Sequence, residues 1–198
     1  MPFLPSLPKG ATLLDLFKAF PQTSTPLLQF HEVLLRGPSP FTEAERELIA
    51  AYVSGLNRCR YCRGVHTATA ELLGMPLNSV GSAIDDIATA PVEDKIKPIL
   101  RYARKLTQQP DSVTQSDADA IFEAGWDEAA LYHTVAVTAL FNFMNRLVEG
   151  MGIELDQTYV KAASERLARR GYLPLIELLK RGQPGRLDRK STRLNSSH

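Results

Sequence analysis

Apolar residues along this chain recur at intervals of three and four, and Pro or Gly punctuates the runs. Leu13, Leu14, Leu16, Phe17 and Phe20 predict a short first helix. Leu27, Leu28, Phe30, Val33 and Leu34 predict a second over Pro26 to Leu35, after which Pro38 and Pro40 break the chain. In FTEAERE, Thr42 and Glu45 have the spacing of a capping box, so a third helix runs from there to about Ser54. Gly55 interrupts it, and Asn57 is placed to cap a fourth that reaches about Leu73, where Gly74 and Pro76 stop it. Further helices are expected over Ser79 to Ile87, Val92 to Thr107, Ser116 to Ala124, Asp127 to Glu149 and Asp156 to Arg170, with a short one around Pro174 to Lys180. Lys97-Pro98 marks a possible kink. The β-branched and aromatic run TVAVTALFNFMNRLV has strand propensity, but its length and its Asp-Glu-Ala-Ala start favour a buried helix. No hairpin signal or repeat competes, and the predicted class is all-α.

Composition narrows the setting. The chain has 198 residues, enough for one domain, and 44% hydrophobic content can fill a core. A formal net charge of +1 gives no electrostatic case for nucleic acid or an anionic membrane. No apolar run approaches the ~20 residues needed to span a bilayer. The start, MPFLPSLPKGATLLDLF, lacks the basic and apolar regions of a signal peptide, so the expected location is cytoplasmic. The expected domain covers 1–182. The polar, basic tail 183–198 is expected to be disordered, and its ending STRLNSSH resembles translated sequencing-adaptor read-through.

The candidate chemistry is concentrated in NRCRYCRGVH, which holds both cysteines and one of four histidines. On a helix Cys59 and Cys62 share a face, with Cβ atoms roughly 5–6 Å apart. His66 follows one turn beyond Cys62 and is in reach of its sulfur, directly or through one water. Cys59 sits near a helix N-terminus, and Arg58, Arg60 and Arg63 add positive potential; both features favour a thiolate. Glu47, on the preceding helix beside Ala50, Ala51 and Ser54, is the best candidate to orient His66, because a carboxylate near core positions needs a partner. In a reducing compartment such a pair reads as a redox dithiol before a structural staple. Zinc is the main rival, with Cys59, Cys62 and His66 as three ligands and Glu47, His31, His133 or water as a fourth. Two cysteines with no second CxxC disfavour it.

Glu47, eleven residues, Cys59-Arg60-Tyr61-Cys62, three residues, His66 resembles the active-site signature of the alkylhydroperoxidase D family, within the carboxymuconolactone decarboxylase-like superfamily. The flanking text TEAERELIAAYVSGLNRCRYCRGVHTATA shares the likeness, which FNFMNRLVEGMGI extends to about residue 155. The single motif and the length most resemble the peroxidase-related branch. The resemblance implies an all-helical fold and homo-oligomers, commonly trimers or hexamers. It also implies reduction of organic hydroperoxides through Cys59 and Cys62, with Glu47 and His66 as a proton relay. A dithiol donor, lipoyl or thioredoxin-like, would reset the pair; no cofactor or metal is implied. Tyr61 stands where the alkylhydroperoxidase proper often has histidine, which removes a second proton-handling group. The alternative functions are a thiol–disulfide relay or redox sensor without peroxide turnover, and, less favoured, a decarboxylase-type activity that does not need the cysteines.

The remaining polar and aromatic residues have ordinary readings. His133 reads as a core or interface histidine, and His31 has no evident partner. Asn145 is expected to bond backbone or a neighbouring helix. Trp126, Phe141, Phe143 and Met144 read as core or interface, and Arg166, Arg169 and Arg170 as a solvated face.

Overall fold

The computed structural model describes residues 2–182, so the expected disorder of the tail falls outside the described residues. Among these, the chain forms ten α-helices, one 3-10 turn and no strand, in agreement with the all-α expectation. The helices are α1 (Leu13–Ala19), α2 (Pro21–Arg36), α3 (Glu43–Leu56), α4 (Arg60–Leu72) and α5 (Ser79–Asp85), followed by α6 (Ile96–Gln108), α7 (Gln115–Glu123), α8 (Glu128–Gly150), α9 (Gln157–Arg170) and α10 (Leu173–Arg181). None of the described helices is long and apolar enough to cross a membrane.

α3 is the axis of the fold. Its start is the expected capping box: Glu45 Oε2 accepts from Thr42 N at 2.7 Å, and Thr42 Oγ1 accepts from Glu45 N at 3.2 Å. Every residue from Glu45 to Ser54 is buried, because α2, α4, α5, α6 and α8 all pack on this helix. α4 is its nearest neighbour and is covered on its other side by α9, while α10 lies on α2. Anything on the α3–α4 seam is therefore deep in the protein. The run read as either strand or helix is α8, capped by Asp127, whose carboxylate accepts from Ala130 N at 2.8 Å.

Three local expectations are corrected. α2 begins at Pro21, not Pro26. Pro21 occupies the first helical position, where no donor is lost, and the carbonyl that Pro26 leaves unbonded belongs to the exposed Gln22. α6 begins at Ile96 instead of Val92, so Pro98 falls in the first turn and no kink follows. Asn57 closes α3 and does not cap α4. The chain turns through Arg58, in the left-handed region at φ 58°, and Cys59 itself is the N-cap of α4.

Candidate functional site

The sharp turn at Arg58 brings α4 back along α3, and this sets the register between Glu47 and the dithiol helix. Glu47 is fully buried. Its Oε2 lies 2.5 Å from His66 Nδ1, and its Oε1 accepts from Arg36 Nη2 at 2.7 Å. Burial disfavours the charge of Glu47, yet His66 and Arg36 together hold its carboxyl below the usual range. An ionised carboxylate only accepts, so the proton on the shared edge belongs to His66 Nδ1. That leaves Nε2 to exchange protons elsewhere. Arg36, which sequence reading passed over, also donates to the carbonyls of Leu35 and Leu167 and lies over the Tyr172 ring.

Cys59 and Cys62 are both free and buried, with their side chains in hydrogen-bonding contact across the first turn of α4. The structure thus pairs Glu47 with His66 and Cys59 with Cys62, and places Cys62 and His66 on the wall of one cavity. It differs from expectation in two respects. Arg58, Arg60 and Arg63 are all exposed, so water screens their charge. Cys62 is not predisposed to ionise: its hydrogen bond with Cys59, its burial and the charge of Cys59 push its pKa well above the ordinary thiol value. Proton removal must accordingly accompany its reaction.

One group works in the opposite direction. Asn145 hydrogen-bonds the Cys62 sulfur in the sense that favours the thiolate. Its orientation is set on both sides. Ser54 Oγ donates to Ala50 O at 2.8 Å and so must accept from Asn145 Nδ2 at 3.0 Å. Asn57 Nδ2 donates to Asn145 Oδ1 at 2.9 Å. The amide N–H groups of Asn145 are thereby turned toward Ser54 and Cys62. The expected bond to a neighbouring helix is present, but it serves to aim the amide at a thiol. His133, expected in the core or an interface, is only partly buried and pairs with Ser39 Oγ at 3.0 Å.

A narrow cavity of about 50 Å³ reaches this chemistry. Cys62 and His66 line it and Cys59 does not, so the reachable sulfur is Cys62. His31 also faces it. Its Nδ1 bonds Leu27 O at 2.8 Å, and burial lowers its pKa to about 4, which keeps it neutral at physiological pH. Phe141, read as core or interface, packs its ring edge-to-face on His66 at 4.5 Å and forms part of the wall with Met144. Tyr172 also lines the cavity, its buried hydroxyl without a hydrogen-bond partner among the described residues. His31, Arg36 and Tyr172 are distant in sequence from the dithiol, and no local spacing signals them. Among the described residues no group of three or more His, Cys, Asp or Glu side chains is arranged to hold a metal ion.

A helical bundle built around a buried CxxC, a histidine and a carboxylate defines the class. Residues 21–104 match the carboxymuconolactone decarboxylase family model, a span that carries Arg36, Glu47, both cysteines and His66. No significant match was found among curated proteins. Two solved structures are similar in fold. One is an uncharacterized peroxidase-related protein from Silicibacter sp. TM1040, with TM-score 0.69 and 22% identity over 75% of this chain and 78% of that one. The other is described as an alkylhydroperoxidase AhpD core, an uncharacterized peroxidase-related protein from Ralstonia eutropha JMP134, with TM-score 0.69 and 21% identity over the same shares, 75% and 78%. Residues 21–104 are thus similar to the carboxymuconolactone decarboxylase family, and the fold of the chain is that of these two structures.

Proposed function

We propose that this protein is a thiol peroxidase that reduces organic hydroperoxides through Cys62 and Cys59. The observation that carries this reading is that Cys62, alone of the two sulfurs, lines the cavity beside His66 while Cys59 touches it from behind. His66, oriented by Glu47, takes the proton of Cys62 on Nε2. The sulfur attacks the terminal oxygen of the hydroperoxide; an S–O bond forms and the O–O bond breaks. The departing alkoxide recovers the proton from His66 and leaves as an alcohol. Cys62 is now a sulfenic acid, oxidised by the two electrons the peroxide gained. Cys59 attacks that sulfur, an S–S bond forms, the S–O bond breaks and water leaves.

A dithiol donor returns two electrons and two protons to the disulfide. Both sulfurs are buried, at 0% and 3% exposure for Cys59 and Cys62, so the donor must present a slender group. A lipoyl arm meets that demand more readily than the surface of a thioredoxin-like protein. The active form is proposed to be a homo-oligomer, a trimer or hexamer. The exposed Phe20 and Phe143, which flank an apolar groove with Leu147, support this, and sedentation-based mass measurement by analytical ultracentrifugation tests it.

Trapping of sulfenic acid with dimedone tests the mechanism. Cys59→Ser should accumulate the adduct on Cys62 after one equivalent of hydroperoxide, and Cys62→Ser should not react at a comparable rate. If neither variant forms an adduct while the native dithiol still exchanges with lipoyl donors, the protein is a thiol–disulfide relay instead.

A further inference from the structure

The sequence places Arg166 with Arg169 and Arg170 on a solvated face, but the structure divides them. Arg169 and Arg170 are exposed, whereas Arg166 is partly buried and lines the cavity that holds Cys62 and His66. It is the one permanently charged side chain on that wall among the described residues. Leu13, Leu14 and Tyr159 on the same wall are, like Arg166, partly exposed, so this is the solvent-accessible part of a cavity whose sulfur is buried. Its Nε is buried and has no hydrogen-bond partner among the described residues. Arg36 Nε is also buried without a hydrogen bond, but the other two nitrogens of that guanidinium hold a carboxylate and two carbonyls.

A guanidinium donor withdrawn from water with nothing to bond is unfavourable by itself, and an arginine fork matches a carboxylate. The wall between Arg166 and Cys62 is largely apolar, with Leu28, Val65, Phe141 and Leu167. We infer that Arg166 is the anion anchor of this cavity, and that the substrate is a hydroperoxide carrying a carboxylate on an apolar body. The carboxylate would bond Arg166 at the mouth, and the apolar body would place the peroxide at Cys62. This identification of the substrate rests on the peroxidase reading; the anchor itself does not.

The test uses the reduced full-length protein, without any donor, so that only the oxidative half-reaction is read. Single-turnover formation of the Cys59–Cys62 disulfide is timed with a short-chain hydroperoxy carboxylic acid and with its methyl ester. The native protein should favour the acid. In Arg166→Gln the acid-to-ester rate ratio should fall by about 10-fold or more, the effect of one charge-assisted hydrogen bond. Arg166→Lys, which keeps the charge and loses the fork, should restore part of the ratio. A native protein with no preference, or a preference that survives in Arg166→Gln, overturns the proposal. Calorimetric titration with hexanoate and hexan-1-ol separates this from the chemistry. If no hydroperoxide oxidises the native dithiol, the peroxidase reading falls, and hexanoate binding lost in Arg166→Gln still establishes the anchor. Equal binding of hexanoate by the native protein and the variant removes it.

Discussion

Glu47 and His66 come from consecutive helices, and their side chains meet at 2.5 Å on the buried α3–α4 seam. The pairing fixes which imidazole nitrogen is occupied. With Nδ1 committed to the carboxylate, Nε2 is the atom left to relieve Cys62 of its proton. Cys62 resists ionisation, so under the proposed mechanism this proton transfer limits its reaction with peroxide. His66→Gln should slow peroxide-driven disulfide formation by about 100-fold at neutral pH, the usual scale for a lost general base. The deficit should shrink as pH rises, because hydroxide then generates the Cys62 thiolate directly. Stopped-flow traces across the alkaline range check both points. A deficit independent of pH would point to misfolding or a purely spatial role.

The second partner of Glu47 carries a stability consequence. Arg36→Met leaves a buried carboxylate with only His66, and Glu47→Gln leaves a buried guanidinium with only the partly exposed Glu43, at 3.6 Å, as counter-charge. Each should cost roughly 3–5 kcal/mol in urea denaturation, the scale for breaking one side of a buried ion pair. Arg36→Met paired with Glu47→Gln should cost less than the two single losses combined.

His31 gives a separate pH signature. Its folded-state pKa is lowered from 6.5 to about 4, mainly by burial. The unfolded chain therefore binds the proton first. This stabilising contribution is complete above pH about 6.5 and is lost as pH falls toward 4, amounting to about 3 kcal/mol. Glu47, whose folded pKa is also lowered, adds a loss of the same sign below its ordinary value of 4.5. His31→Gln should remove the upper part of the pH dependence and keep the lower part, as read from urea midpoints at neutral and acid pH.

Asn145 is expected to set the ease with which Cys62 ionises. Asn145→Ala removes a hydrogen bond that favours the thiolate, so the Cys62 pKa should rise further. Thiolate ultraviolet absorbance and the pH profile of alkylation in a Cys59→Ser background measure it directly. An unchanged profile assigns Asn145 to packing alone.

The dithiol and the histidine were legible because helix spacing puts them on one face, whereas Glu47 stood out from its acidic neighbours chiefly by the spacing it shares with the alkylhydroperoxidase D signature. The all-α class was legible for a similar reason, since apolar periodicity is a local property. Asn57 was misread because an Asn before a helix suits an N-cap, and only the left-handed turn at Arg58 shows that Cys59 takes the position. His31, Asn145 and Tyr172 gain their meaning from α2, α8 and the approach to α10 folding back on α4, which no spacing encodes. Arg166 was grouped with its basic neighbours by charge. A step of three residues along α9 rotates a side chain by about 60° from its partner's direction, enough to divide cavity from solvent.

The central claim is that these two sulfurs exchange a covalent bond at the expense of a peroxide. Intact-mass spectrometry of the reduced protein, treated with one equivalent of an organic hydroperoxide in the presence of a metal chelator, tests it most directly. The account predicts a loss of two hydrogen masses, mapped by peptide analysis to a Cys59–Cys62 disulfide and abolished in Cys62→Ser. An unchanged mass, or activity retained when both cysteines are replaced by serine, contradicts it.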